Sequence, residues 1–344
     1  MIKHLSKISA VAAFAVIAAS ASAEVKLNEN FSVDGYAIVS GVVTEGTSAK
    51  NAQLVNSGRL YDSFKVAANG KFDAFTSKVS VYGLKSDANS TASDVGLLDA
   101  YVTYTTGEFA ITGGKFLGWM GYESFDSPNN AFITYSAPNN TYSSPYATGA
   151  KVEYIVKDYS AGVSVRDSQF DSAGGNGGNV PSKSFFEGDG SFSNDIGYEA
   201  YFLYTGIDKL KVFVGAGYQQ VNFEDGSDDR SFNTSDVWVS YDLTSKLTLV
   251  AEYASIEDAV DYSWNVLANY AFTADFSGAG RVTGSEGFQG GNDTFGYGVA
   301  STYVLHKNFS LKAEVTKTEN NSVVTANGSD SDVFSYALQG VLRF

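Results

Sequence analysis

Strict two-residue alternation is the feature that most constrains what this chain can fold into. In residues 309–316, apolar side chains occupy every odd position and polar side chains every even one. Similar alternation recurs in residues 195–205, 246–257 and 293–305. Such a period arises in a β-strand whose two faces meet different environments. The sequence therefore predicts strands that separate an apolar surrounding from a polar one.

About sixteen segments of this kind can be counted along the chain. Their predicted spans are 30–44, 60–69, 71–85, 95–105, 108–115, 148–157, 159–168, 195–205, 209–224, 231–242, 246–257, 261–273, 275–286, 293–305, 308–318 and 332–344. Asn69-Gly70 is predicted as the two-residue turn between the second and third strands. Short turns alternate with longer polar connections along the chain, as in an outer-membrane barrel, whereas a β-sandwich has no reason to sort loop length by parity.

The last predicted strand places Tyr336, Leu342 and the terminal Phe344 on one apolar face. An open sheet edge in lipid would leave unpaired backbone groups that cost several kcal/mol each, so this strand is expected to pair with the first, over residues 31–43. The terminal aromatic face resembles the signal that the bacterial barrel-assembly machinery reads. We therefore assign Tyr336, Leu342 and Phe344 as an assembly signal.

Residues 1–23 read as a cleaved signal peptide that precedes a single barrel domain at 24–344. Lys3 and Lys7 precede an apolar run at 8–19, and the small-residue sequence Ala-Ser-Ala at 21–23 follows it. The run is shorter than the roughly 20 residues that a transmembrane helix needs. An exported chain rich in glycine and aromatic residues fits a transmembrane barrel, but composition also allows a secreted β-sandwich or β-helix.

The composition excludes several functions. A formal net charge of −15 disfavours binding to nucleic acid. The chain has no cysteine, and His306 is the one histidine after residue 23, so no cluster of the usual zinc or copper ligands exists. His306 falls in a short turn at the periplasmic end, away from the outer rim where a catalytic base would be needed. We predict no enzyme activity and no cofactor.

One connection, residues 116–147, differs from all the others. It is about thirty residues long, carries three of the four prolines of the chain and is rich in aromatic residues. A long loop in a compact fold is usually functional or disordered, and this aromatic content argues against disorder. We predict a packed loop that folds into the barrel and narrows it, with constriction residues Lys115, Trp119, Tyr122, Glu123 and Asp126.

The same region carries a family resemblance. Its motifs are Gly-Lys-Phe at 114–116, Gly-Tyr-Glu at 121–123, Ser-Pro-Asn-Asn at 127–130 and Tyr-Ser-Ser-Pro-Tyr-Ala-Thr-Gly at 142–149. This run of about 35 residues resembles the motif region of the OmpL-like β-barrel porins, and the rest of the chain is similar in architecture only. The resemblance implies an outer-membrane porin-like barrel without naming a solute. The chain lacks the arginine and histidine expected in the family's loop, so no charge selectivity is carried over.

The charged residues predicted to face the lumen are nearly balanced in sign. They are Lys65, Lys78, Asp99, Lys151, Glu153, Arg166, Glu199, Lys211, Glu252, Lys312 and Glu314. Glu123 and Asp126 would favour cations if they stand at the narrowest point. The excess acidic residues fall in the outer loops, where they could attract cations, bind calcium or magnesium weakly and bridge to lipopolysaccharide, or simply keep the loops soluble.

These observations predict an all-β, up-and-down antiparallel transmembrane barrel of about 16 strands, with the long loop between strands five and six folded inward. The predicted function is a porin for passive diffusion of small hydrophilic solutes. The expected partners are outer-membrane lipid and lipopolysaccharide, the barrel-assembly machinery and, as an open alternative to a monomer, two further copies in a homotrimer. The competing function is an adhesin or structural barrel with a blocked lumen.

Overall fold

The structure is a computed structural model that describes residues 24–46, 49–54, 62–85, 93–138, 146–167, 196–221, 230–257, 260–288, 292–319 and 332–344. The predicted signal peptide at 1–23 lies outside these residues, as do most of the acidic outer-loop positions. For both, the expectations above remain predictions.

Sixteen long strands form the barrel and are numbered here in chain order. They are β1 (Phe31–Gly46), β2 (Asp62–Phe72), β3 (Phe75–Lys85), β4 (Ser93–Thr106), β5 (Phe109–Leu117), β6 (Tyr146–Ile155), β7 (Tyr159–Arg166), β8 (Gly197–Tyr204), β9 (Leu210–Val221), β10 (Arg230–Asp242), β11 (Leu247–Ile256), β12 (Val260–Ala271), β13 (Phe276–Phe288), β14 (Asn292–His306), β15 (Phe309–Glu319) and β16 (Val333–Arg343). Two short strands, Val25–Lys26 and Ala49–Leu54, pair with β1. The predicted number of strands is confirmed.

The sheet is antiparallel throughout and closes on itself. The last strand pairs with the first along eleven positions, from Val333 opposite Gly46 to Arg343 opposite Tyr36. This pairing satisfies the two edges that an open sheet would expose, which lipid does not tolerate. The predicted closure of β16 onto β1 is therefore confirmed.

The faces of the barrel are inverted relative to a soluble protein. Tyr297 and Val299 on the outer face of β14 are 45% and 62% exposed, while Glu314 and Gln339 on the inner face of β15 and β16 are 2% and 0% exposed. Soluble proteins rarely expose contiguous apolar surface, so a continuous apolar exterior requires an apolar surrounding. The alternation in the sequence thus separates an apolar outside from a polar inside.

The turn between β2 and β3 lies further along the chain than predicted. Asn69 and Gly70 remain in the ladder, opposite Lys78 and Ser77, and the strands continue to a closing pair of Phe72 and Phe75. The turn is formed instead at Asp73, which adopts φ +47°. Asn-Gly is a strong local turn signal, but here the additional pairing and the packing of Phe72 on Phe31, with ring centroids 5.1 Å apart, outweigh it.

Helical structure is scarce among the described residues. One turn of 3-10 helix spans Ser127–Asn129 in the connection between β5 and β6. In the part of the chain that the structure describes, no helix combines the length and the apolar character needed to cross a membrane.

Candidate functional site

The described part of the connection between β5 and β6, residues 118–138, is called the inner loop below. Its first turn is held by carboxylates of the barrel wall. The backbone N–H groups of residues 119–122 donate, in chain order, two hydrogen bonds to Glu199 of β8 (2.6 and 3.1 Å), one to Asp236 of β10 (2.6 Å) and one to Glu252 of β11 (2.8 Å). Gly121 adopts φ +96°, which only glycine occupies without strain.

Cationic side chains of the wall hold the inner loop at its 3-10 turn. Lys312 of β15 donates from Nζ to three carbonyl groups within residues 127–130, at 3.1, 2.9 and 2.5 Å. Arg343 of β16 donates from Nη2 to the carbonyl of Pro128 at 2.7 Å. The carbonyl of Ser127 also accepts the N–H of Asn130 within the 3-10 turn, whereas the carbonyls of Pro128 and Asn130 are satisfied by these donors of the wall.

An ion pair in which both side chains are buried fixes the middle of the inner loop. Arg281 of β13 lies 3.0 Å from Glu123, and both side chains are 4% accessible. Arg281 also donates to the carbonyl of Thr134 at 2.8 Å and lies over the ring of Phe132, 4.2 Å from its centroid. The other oxygen of Glu123 accepts the N–H of Ser136 at 2.7 Å. Glu123 was expected to present charge to a pore, but its carboxylate is enclosed by these partners and positions the loop instead.

The returning part of the loop contacts Glu314 of β15. The N–H groups of Ile133 and Thr134 donate to Glu314 Oε2 at 2.5 and 3.0 Å, and the hydroxyl of Thr134 donates to Oε1. Wall carboxylates thus bind loop N–H groups, and wall cations bind loop carbonyls. Because the anchoring strands include β8, β10, β11, β13, β15 and β16, the contacts extend around much of the inner wall.

Aromatic packing supports the first turn of the loop. The ring of Trp119 lies 4.6 Å from that of Tyr201, and the ring of Tyr122 lies 5.4 Å from that of Trp238, centroid to centroid. Burial raises the pKa of Tyr122 to about 12, so the phenol is neutral at physiological pH. These two aromatic side chains, predicted as constriction residues, therefore pack the loop against the wall.

A polar cavity of about 270 Å³ lies beside the inner loop, against strands β2–β6. Three lysines, three carboxylates and four hydroxyl groups contribute to its lining, which consists of Lys65, Lys78, Asp99, Tyr101, Thr103, Thr112, Phe116, Leu117, Asp126, Tyr146, Lys151 and Glu153. Hydroxyl and charged side chains favour a water-filled space, so this cavity is the candidate aqueous path past the loop.

Four of the lining charges form an alternating chain of opposite signs. Lys78 lies 3.8 Å from Asp99, Asp99 lies 3.4 Å from Lys65, and Lys65 lies 3.2 Å from Asp126 of the inner loop. This set is called the charge ladder below. Its central members are 5% accessible at the side chain, whereas Lys78 and Asp126 at the two ends are each 26% accessible.

A β-bulge sets the position of Asp99. Ser80 pairs with Asp99 and Val81 with Leu97, so Leu98 is an additional residue in β4. Leu98 is 0% and Asp99 4% exposed, which places both on the inner side of the wall. The hydroxyl of Ser80 donates to Asp99 Oδ2 at 2.5 Å and fixes the carboxylate in the charge ladder. Bulges commonly re-aim a side chain next to a functional site.

A second pair of opposite charges lies on β6. The ammonium group of Lys151 is 3.4 Å from the carboxylate of Glu153 and 5.0 Å from the ring centroid of Trp119. Glu153 also accepts hydrogen bonds from the indole of Trp119 at 3.2 Å and from the hydroxyl of Tyr201 at 3.0 Å. Lys151 and Glu153 are partly accessible, so this pair adds one charge of each sign to the lining.

Lys115 does not lie where it was predicted. Its position in β5 has the same parity as Phe109 and Ile111, which are 46% and 44% exposed on the outer face. Its ammonium group donates to the carbonyl of Leu97 at 2.9 Å. The prediction placed Lys115 at the constriction because it precedes the loop in sequence, but the strand continues through Leu117, and strand parity directs this side chain outward.

The remaining predicted residues occupy the following positions. Arg166 and Glu199 form an ion pair at 2.8 Å with 1% and 0% accessible side chains, and Lys211 is partly buried. Tyr336 and Leu342 are exposed on the outer face. Phe344 is half-buried, and its N–H donates to the carbonyl of Gly35 at 3.0 Å.

Arg281 and Arg343 are anchoring residues that were absent from the predicted site. Arg281 lies in β13 at the same alternate positions as Ser277, Thr283 and Ser285. The two-residue alternation of this strand could therefore have identified Arg281 as inward-facing. Within the described residues, no group of three histidine, cysteine, aspartate or glutamate side chains could hold a metal ion. Weak calcium or magnesium binding was predicted for outer loops, most of which lie outside those residues.

A closed sixteen-stranded barrel with an apolar exterior and a charged, hydroxyl-rich interior defines a β-barrel channel. The chain belongs to the family described as putative beta-barrel porin-2, OmpL-like, which it matches over residues 62–344. The predicted family is thus confirmed, and membership points to a channel rather than an enzyme. No curated protein matches the sequence.

Solved structures of similar fold include outer-membrane proteins of three bacteria. OmpF of Salmonella typhi, solved with daunomycin, is 16% identical with a TM-score of 0.65, covering 93% of this chain and 100% of that one. The outer membrane channel DcaP of Acinetobacter baumannii is 12% identical with a TM-score of 0.60, covering 93% and 99%. The trimer form of OmpT from Vibrio cholerae is 13% identical with a TM-score of 0.61, covering 92% and 100%. At these identities the likeness shows the fold alone.

Proposed function

We propose that this chain is a bacterial outer-membrane porin through which small hydrophilic solutes diffuse passively, and that the inner loop sets the size limit. The observation that carries the proposal is the polar cavity of about 270 Å³ between the inner loop and strands β2–β6. A polar cavity of this volume holds several waters and has room for small hydrophilic solutes but not for large ones.

The anchoring of the inner loop supports its role as the constriction. Its contacts with Glu199, Glu252, Lys312 and Glu314 all involve buried wall side chains. A loop held at many points around the wall defines a fixed opening rather than a fluctuating one. Its trimming should therefore change the size of the opening more than the stability of the barrel, whose strands pair independently of it.

A modest cation preference is part of the proposal. The accessible charges beside the loop are balanced in sign and Glu123 is enclosed, so the preference would arise from the overall net charge of −15. Because mobile ions screen such a field over about 10 Å at 0.1 M salt, the preference should weaken as the salt concentration rises. Reversal potentials across a KCl gradient, measured at low and high salt, would reveal both effects.

The experiment that tests the porin proposal is single-channel recording in planar lipid bilayers. The wild-type chain should show a steady open level, and deletion of residues 119–143 should raise its conductance. Unchanged conductance in a correctly assembled deletion variant would mean that the inner loop does not limit the path. Assembly of each variant can be monitored by the heat-dependent mobility of the barrel on gels.

A barrel with a blocked lumen, serving as an adhesin or a structural protein, is the second candidate. It is favoured by the large part of the inner wall that the loop contacts, from β8 through β16. Under this alternative the bilayer recordings would show no steady open level. Such a result from reconstituted, folded protein would replace the porin proposal with the adhesin or structural one.

The proposal extends to the location of the protein in the outer membrane and to its partners there. The apolar exterior fits outer-membrane lipid, and the exposed Tyr336 and Leu342 beside Phe344 would serve the barrel-assembly machinery. The trimer form reported for Vibrio cholerae OmpT motivates a homotrimer here. Chemical cross-linking in isolated outer membranes would distinguish three copies from one, and fractionation would test the location. Lipopolysaccharide bridged by divalent cations would be released by chelation.

A further inference from the structure

We propose that the cavity beside the inner loop contains a weak binding subsite for small zwitterionic solutes, with the charge pattern of α-amino acids. The inference rests on the proposed porin function and deepens it by naming the class of solute. The subsite is the pair of accessible ends of the charge ladder, Lys78 and Asp126. The carboxylate of the solute would contact Lys78, and its ammonium group would contact Asp126.

The geometry of the charge ladder carries the first step of the argument. Each central member, Asp99 or Lys65, has an opposite charge on both sides and is buried. The ends each have an opposite charge on one side only, and they are the accessible members. The buried pair of Asp99 and Lys65 thus lies between a partly accessible cation on β3 and a partly accessible anion on the inner loop, and all four line the same cavity.

The two ends also retain hydrogen-bonding capacity. Lys78 Nζ lies 3.8 Å from Asp99, beyond hydrogen-bond distance, and an ammonium group carries three donors. Asp126 accepts bonds from the hydroxyl of Tyr36 at 3.0 Å and from Lys65 at 3.2 Å, whereas a carboxylate offers about four lone-pair sites. Both groups can therefore bind a solute without losing their present contacts.

Charge balance gives the selectivity. A simple cation entering the cavity is attracted by Asp126 but repelled by Lys78. A simple anion is attracted by Lys78 but repelled by Asp126. A zwitterion can satisfy both ends at once through charge-assisted hydrogen bonds, which are about twice as strong as neutral ones. Lys151 and Glu153, 3.4 Å apart in the same cavity, repeat the balanced pattern.

The experiment measures the uptake of four solutes of nearly equal size into proteoliposomes at pH 7. The solutes are alanine, a zwitterion; lactamide, which is neutral; lactate, an anion; and alaninamide, a cation. Wild-type protein should take up alanine faster than lactamide, and excess unlabelled glycine should slow alanine but leave lactamide unchanged. This competition arm requires no variant and so does not depend on the folding of one.

Two substitutions test the assignment of the residues. Lys78→Gln and Asp126→Asn should each lower the alanine-to-lactamide uptake ratio by about three- to tenfold, the change expected for one lost charge-assisted contact at a partly exposed site. The two substitutions should also change the uptake of the charged solutes in opposite directions. Lys78→Gln should increase the uptake of the cation alaninamide, and Asp126→Asn should increase the uptake of the anion lactate. Lys71→Gln, which removes an exposed lysine next to the Asp73 turn, is the matched control and should change neither ratio.

The outcomes separate the two proposals. Lactamide uptake without an alanine preference in wild-type protein, or a preference that neither substitution alters, would overturn the zwitterion subsite and leave the porin function standing. Absence of uptake for all four solutes by folded protein would overturn the porin proposal and the subsite with it. An alanine preference that is lost in both variants and kept in Lys71→Gln would support the subsite.

Discussion

The buried ion pair between Arg281 and Glu123 gives the sharpest test of how the inner loop is held. Replacing Arg281 with methionine leaves the Glu123 carboxylate enclosed and without its countercharge, since both side chains are 4% accessible. Removal of one partner of a buried pair destabilises by about 3–5 kcal/mol. Because the barrel strands pair without this contact, the loss should fall on the docking of the loop.

The loss of docking free energy determines the fraction of molecules in which the loop is open. A change of about 3 kcal/mol corresponds to roughly a hundredfold increase in the open fraction of the loop. Adding Glu123→Gln to Arg281→Met removes the stranded charge, and glutamine can still accept the N–H of Ser136. The double variant should retain a defect of about 1–2 kcal/mol, because the carbonyl of Thr134 still lacks its donor.

Hydrogen exchange of the loop amides, followed by mass spectrometry on protein in detergent, measures this opening. Exchange at residues 119–122 and 133–136 should accelerate by roughly a hundredfold in Arg281→Met and much less in the double variant. The strand amides of β13 and β15 should be unaffected, as should every amide in the control Lys71→Met. Equal acceleration in the single and double variants would refute the reasoning that a stranded charge drives the opening.

Three further predictions follow from single positions. Gly114→Ala should lower the thermal stability of the barrel by a few °C, through about 1–3 kcal/mol of strain. Gly114 has φ +127°, and a Cβ there would lie 2.2 Å from the carbonyl oxygen of Ala100. The matched control for calorimetry is Gly113→Ala, whose Cβ would meet nothing within 4 Å. Tyr122 has a pKa raised to about 12 by burial, so its contribution to loop docking should persist below about pH 10 and be lost as the pH rises through 12. Alkaline hydrogen exchange should therefore show a smaller loss of docking in Tyr122→Phe than in wild-type protein, and an equal loss in both would assign the effect to other buried tyrosines. Phe344→Ser should reduce the yield of heat-modifiable barrel in outer membranes several-fold, because it removes the terminal ring that packs beside Gly35; a normal yield would mean that Phe344 is no assembly signal.

Much of the candidate site could be read from parity alone. Glu199, Glu252, Lys312 and Glu314 follow the alternation of their strands and lie on the buried inner face. The same rule, applied further, would have found Arg281 and would have directed Lys115 outward. Lys115 was misassigned because closeness to the loop in sequence was given more weight than its position in the strand.

Strand parity could not predict that the inward-facing charges anchor the inner loop. The hydrogen bonds between the loop and the wall join residues that lie from 34 to 215 positions apart in sequence. Their existence depends on the curvature and closure of the whole sheet. The β-bulge at Leu98 is a further example, since the added residue shifts the parity of Asp99 relative to the first part of β4.

The sequence by itself determined the number of strands, because two-residue alternation is a local property of the chain. It also required the first and last strands to pair, because an open edge in lipid would leave backbone groups unsatisfied. Only the tertiary structure decided that Glu123 is enclosed by Arg281 while Asp126 remains accessible at the end of the charge ladder. The physical reason is that the accessibility of a charge depends on which distant strands surround it, and that arrangement exists only once the barrel has closed.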